Sequence, residues 1–140
     1  MNQKEILLAS LAASRGEPYQ PVQIQKLIFL FQEKALKEKI FNFTPYDYGP
    51  FDSKIYIELE ELAQVGSVEI IGQPFSKLRL YGLTPKGEKS AKEALDKLSS
   101  REQEFLIRLS TWVKSLPFAQ LVGAIYKEYP AMRENSVFRG

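Results

Sequence analysis

At 140 residues the chain is long enough for one ordinary domain and too short for two well-buried ones, and its 44% hydrophobic, 12% aromatic and 26% charged residues fit a folded, soluble protein. It contains neither cysteine nor histidine, which excludes disulfides, thiolate nucleophiles, zinc sites built on those ligands and every mechanism with imidazole as general base. With 19 Lys and Arg against 17 Asp and Glu the net charge is +2, too balanced to argue nucleic-acid binding from charge alone.

Asn2 followed by Glu5 makes a capping box, and Ile6, Leu7 and Leu11 give a short amphipathic first helix that stops at Gly16 and Pro18. Lys4 and Glu5 interrupt the apolar stretch there, so it does not read as a signal peptide. Pro21 suits a first helical position, and Ile24, Leu27, Ile28, Phe31 and Ala35 continue at helical spacing. Gln25, Lys26, Gln32 and Glu33 are expected on the polar face of this second helix. Phe29 and Leu30 lie off its stripe and need a second buried face or a partner contact, with burial the favoured reading. Residues 27–31 form the longest apolar run, far below membrane-spanning length, so a cytoplasmic protein without a membrane segment is expected.

Branched and aromatic residues at 40–43 suggest a short strand, and residues 44–50 an ordered turn. Asp52 or Ser53 caps a third helix with Ile55, Leu59, Leu62 and Ala63 inward, ending at Gly66. The period then becomes extended: residues 67–71, a turn over 72–76, and 77–83 with Leu78 and Leu80 on one face, a hairpin. Thr84 and Pro85 start a fourth helix through Ala91, Leu95 and Leu98. Ser99 or Ser100 starts a fifth, with Phe105, Leu106, Leu109, Trp112 and Val113 inward. Pro117 precedes a sixth helix carrying Phe118, Leu121, Val122 and Ile125, which ends near Tyr129 and Pro130. Residues 131–140 show no period, and no repeat or linker divides the chain. The expectation is one α+β domain over 1–140, mostly helical, with 99–140 a helical extension.

Three helices followed by a hairpin is the element order of a winged helix, with 67–83 as the wing. The helix that would enter a DNA groove carries Asp52, Glu58, Glu60 and Glu61 against Lys54 alone, which opposes insertion between phosphates. Basic residues gather instead in the wing and fourth helix, where Lys77, Arg79 and Lys86 are the candidate nucleic-acid contacts of a transcriptional regulator. Interspersed Glu69, Glu88, Glu93 and Asp96 favour the plainer reading of a solvated face.

The run Gln25-Lys26-Leu27-Ile28-Phe29-Leu30-Phe31-Gln32, followed by Tyr46-x-Tyr48-Gly49-Pro50-Phe51 and then Ile55-Tyr56, resembles the Panacea domain of SocA-like antitoxins. The resemblance is strongest over 21–66. Phe51 stands where many relatives have an aliphatic residue, and Thr44-Pro45-Tyr46-Asp47 replaces an acidic-Ala-Trp segment, which marks a distant member. The resemblance implies a non-catalytic antitoxin or adaptor that neutralises a protein partner, such as a toxin, by direct contact. The winged-helix regulator is the alternative.

Read from the residues alone, Tyr48-Gly49-Pro50-Phe51 is a rigid turn, since proline fixes one dihedral and Gly49 tolerates a backbone conformation others avoid. Tyr46, Tyr48, Gly49, Pro50 and Phe51 are therefore candidate partner-binding residues. Packing on the second and third helices is the competing role, favoured for Phe51 and evenly balanced for the two tyrosines. Glu58 and Glu61 share a helix face, but a solvated face explains them better than a metal or acid–base pair. No phosphate-binding glycine loop and no nucleophile–base pair is evident, so neither an enzyme nor a cofactor or metal site is expected.

Overall fold

The computed structural model describes residues 1–72 and 78–138. Among these, six helices alternate with two small antiparallel hairpins: α1 (Gln3–Ala13), α2 (Pro21–Ala35), β1 (Thr44–Tyr46), β2 (Gly49–Phe51), α3 (Lys54–Gln64), β3 (Val68–Ile71), β4 (Leu80–Leu83), α4 (Pro85–Asp96), α5 (Ser100–Ser115) and α6 (Phe118–Glu128). A 3-10 turn, Pro130–Arg133, follows. The fold is α+β and mostly helical, and the three-helix-then-hairpin order of a winged helix is present with β1–β2 inserted between α2 and α3.

Helix ends follow local chemistry. Asn2 and Glu5 close a capping box on α1, as Ser99 and Glu102 do on α5, and Thr84 Oγ1 accepts the Gly87 N–H at 3.0 Å at the start of α4. α3 starts differently: the Ser53 side chain makes no cap, and Asp52 Oδ1 accepts the Lys54 N–H at 2.9 Å. One apolar cluster takes residues from all six helices, with Leu7, Ile24, Leu27, Ile28, Ile55, Leu59, Ala91, Leu106, Leu121 and Ile125 at or near zero exposure. α1 packs on α4, and α2 on α5. The Tyr19 hydroxyl donates to the Ser10 carbonyl at 2.8 Å and meets Ser110 Oγ at 2.5 Å, joining α1 to α5 within the core. Backbone bonds exchanged between Tyr19 and Tyr81, at 2.8 and 2.9 Å, fasten the α1–α2 connection to β4.

Several expectations are corrected. Residues 40–43 form no strand, because Gln32 takes the backbone N–H groups of Ile40 and Phe41 at 2.8 Å and the Phe41 carbonyl at 3.0 Å, satisfying locally what a strand would offer a neighbour. The strand is β1, one step later, so the described residues hold two hairpins rather than one. Val68–Ile71 pair with Leu80–Leu83 in the second hairpin, within the expected 67–83, but Leu78, expected on one face of its second strand with Leu80, precedes β4 and is exposed; Lys77 lies outside the described residues. Phe29 and Leu30 are buried. Trp112, expected inward, is 40% exposed, and Phe118 of α6 is 42% exposed. No helix among the described residues is long and apolar enough to cross a membrane.

Candidate functional site

The first turns of α2 carry Pro21, Val22, Gln25 and Lys26, and the polar residues among them do not face solvent. Gln25, Lys26 and Gln32 are 1%, 3% and 4% exposed, contrary to the polar-face expectation, which of the four Glu33 alone meets. The reason is the chain that follows α2, which lies across this side of the helix and whose backbone the three side chains satisfy. Gln25 exchanges two hydrogen bonds with the Asp52 backbone, at 3.0 and 3.1 Å. Lys26 Nζ donates to the Pro50 carbonyl at 3.2 Å. Burial pushes the Lys26 amine down to about 7.

The hairpin itself is short and unusual. Pro45 stands opposite Pro50, and neither has an N–H to give to the ladder. Gly49, at φ +105°, takes the left-handed backbone, and a Cβ there would come 3.3 Å from Tyr126 Cε1 and 3.7 Å from Lys26 Cε. Ring contacts brace the outside: Tyr46 stacks on Phe51 with centroids 4.8 Å apart, Phe51 meets Tyr56 edge-on at 5.8 Å, and Tyr48 meets Phe118 edge-on at 5.1 Å. The chain's last described residues fasten the tip. Val137 N–H and Ser136 Oγ both donate to the Asp47 carbonyl, at 2.9 and 3.1 Å, Tyr126 OH donates to Ser136 Oγ at 2.6 Å, and Asn135 reaches the Pro45 carbonyl at 3.3 Å.

Between α2, the hairpin, α3 and α6 lies a cavity of about 320 Å³, lined by Val22, Gln25, Lys26, Tyr46, Asp47, Tyr48, Gly49, Phe51, Tyr56 and Phe118 together with Pro21. Of the residues expected at a partner site, Tyr46, Tyr48, Gly49 and Phe51 line it, whereas Pro50 is buried and contributes its carbonyl to Lys26. Tyr46 is 51% exposed while Tyr48 and Phe51 are half-buried. Sequence reasoning does not single out Lys26, Tyr56 or Phe118 for this site. For Lys26 a signal exists, since it stands in the Gln-Lys pair of the resembling motif; Phe118 comes from distant α6 and has none. Burial pushes the Tyr56 hydroxyl up to about 12.

The basic candidates lie elsewhere. Arg79 pairs with Glu60 at 2.8 Å, its guanidinium 5.4 Å from the Tyr81 ring centroid and its side chain 11% exposed. Lys86 Nζ donates to the Val65 carbonyl at 2.7 Å, capping the end of α3. Glu58 and Glu61 both hold Lys4, and no cluster of potential metal ligands occurs among the described residues. Compared with known proteins, the chain matches no family model and no curated protein.

Proposed function

We propose that the protein is a non-catalytic, cytoplasmic protein-binding domain that acts as an antitoxin or adaptor by direct contact with a partner protein, seated on the Tyr46 to Phe51 hairpin and Phe118. The observation that carries this reading is the pre-organised aromatic surface. Tyr46, on a hairpin that Gln25, Lys26 and the 135–138 segment hold fixed, and Phe118 beside it both stand about half out of the protein. Rigid aromatic anchors lose little entropy on binding, and affinity concentrates in such residues. The resemblance to the Panacea domain supports the same assignment. Arg79 and Lys86, committed to Glu60 and Val65, give the DNA-binding alternative little to work with.

The test uses the full chain as bait in cells that produce it, followed by co-expression with each captured protein. Tyr46→Ala is expected to abolish capture while shifting the melting temperature little, since half of that side chain is already in solvent. Capture undiminished in both Tyr46→Ala and Tyr48→Ala overturns the reading. Tight, sequence-selective DNA binding that weakens in Arg79→Ala or Lys86→Ala replaces it with the regulator.

A further inference from the structure

The cavity combines carbon walls with one buried amine. Val22 and the rings of Tyr46, Phe51, Tyr56 and Phe118 supply the apolar lining. Lys26, in the same lining, is 3% exposed and among the described residues has one hydrogen-bond acceptor, the Pro50 carbonyl at 3.2 Å. An ammonium carries three donors, and the ion pairs among the described residues leave Lys26 without a carboxylate partner. A buried cation lacking a counter-charge is costly, so an acceptor delivered into this cavity gains more here than at the surface. At about 320 Å³ the space is about twice the ~150 Å³ that admits benzene. That leaves room for one or two fused rings and a small polar group.

We propose that this cavity is a binding site for a small aromatic carboxylate, its ring packed among the tyrosine and phenylalanine side chains and its carboxylate on Lys26 Nζ. Asp47, also in the lining, disfavours a ligand with a second negative charge. The site goes beyond the partner reading, and free small molecules test it with no partner protein present.

Calorimetric titration with indole-3-acetate and 4-hydroxyphenylacetate, each beside its neutral amide, is the direct measurement. At pH 6 at least one acid is expected to saturate the protein at millimolar concentration and to bind about tenfold or more tighter than its amide. The titratable groups lining the cavity with Lys26 are Tyr46, Asp47 and Tyr48 from the hairpin and Tyr56 from α3, and Tyr126 of α6 stands with Lys26 beside Gly49. Burial lowers the Lys26 amine to about 7, inside the range from pH 6 to 8.5, and pushes the Tyr56 hydroxyl up to about 12, outside it. Acid binding should therefore weaken across that range while amide binding stays level. Lys26→Met, which keeps the side-chain length, should erase the preference for acid over amide, and Tyr46→Ala, at a half-exposed position, should weaken both. Equal binding of acid and amide, absence of saturation by either acid, or an acid preference that survives Lys26→Met overturns the proposal. Should Lys26→Met fail to fold, the acid–amide comparison and its pH course in the unaltered chain decide alone.

Discussion

Burial lowers the Lys26 amine from the ordinary 10.5 to about 7, so between those values the unfolded chain binds more protons than the folded one. Stability then rises with pH across that window, the cost of the buried charge being fully present below about pH 7 and relieved as pH approaches 10.5. At ~1.4 kcal/mol for each tenfold change in proton affinity, the whole effect is on the order of 4 to 5 kcal/mol. Lys26→Met removes it. Denaturant titrations of both proteins at pH 6 and 9 should show the unaltered chain gaining stability by several-fold more than the variant. At pH 6 the variant should be the more stable by about 1 to 4 kcal/mol, the scale seen when a buried charge gives way to an apolar side chain. Parallel pH courses would mean that the amine is not desolvated.

At the scale of elements, two helical glycines look alike in sequence and should respond oppositely to alanine. A Cβ at Gly87 in α4 would stand 1.9 Å from the Ser67 carbonyl oxygen, so the helix start is pressed directly against the residue that leads into β3. Gly123 in α6 meets nothing within 4 Å. Gly123→Ala should stabilise by about 0.5 to 1 kcal/mol through helix propensity, whereas Gly87→Ala should destabilise by about 1 to 3 kcal/mol or more through overpacking. Thermal unfolding of the two variants checks both signs, and a neutral Gly87→Ala would contradict the packing of α4 on Ser67. The same contrast explains what the sequence discloses. Helix starts are readable because Asn2, Thr84 and Ser99 cap backbone groups a few residues away and Pro21 fixes its own φ at a first helical position. The β1–β2 hairpin is not, since prolines at 45 and 50 read as turn residues and their pairing depends on α2 and the chain's far end. Gln25, Lys26 and Gln32 read as surface residues because polar side chains usually lie there; only non-local packing buries them. The aromatic half of the site is evident from Tyr46 to Phe51, and the α6 half from nothing local.

Across the whole molecule, the hairpin of the candidate site is held by a chain segment about ninety residues away. The prolines weaken the hairpin's own ladder, so its tip depends on what the 135–138 segment provides: Asn135 to the Pro45 carbonyl, Ser136 and Val137 to the Asp47 carbonyl, and Phe138 against Phe118 and Tyr126 with ring centroids 6.1 Å apart in each case. Net hydrogen bonds of this kind contribute ~1 kcal/mol each, and the residues whose carbonyls they reach, Pro45 and Asp47, lie outside the apolar cluster. Removing residues 135–140 should therefore lower global stability by only about 1 to 3 kcal/mol. Locally the effect should be larger, with hydrogen exchange of the Tyr48 and Gly49 amides accelerating well beyond that of Leu27 or Leu106, because opening of the hairpin is separated from opening of the core. Aromatic-carboxylate affinity and partner capture should fall together in this truncation, since both use the geometry that the segment maintains. Unchanged exchange at the hairpin, or acceleration spread evenly over the core helices, would show that the hairpin holds its shape without the segment.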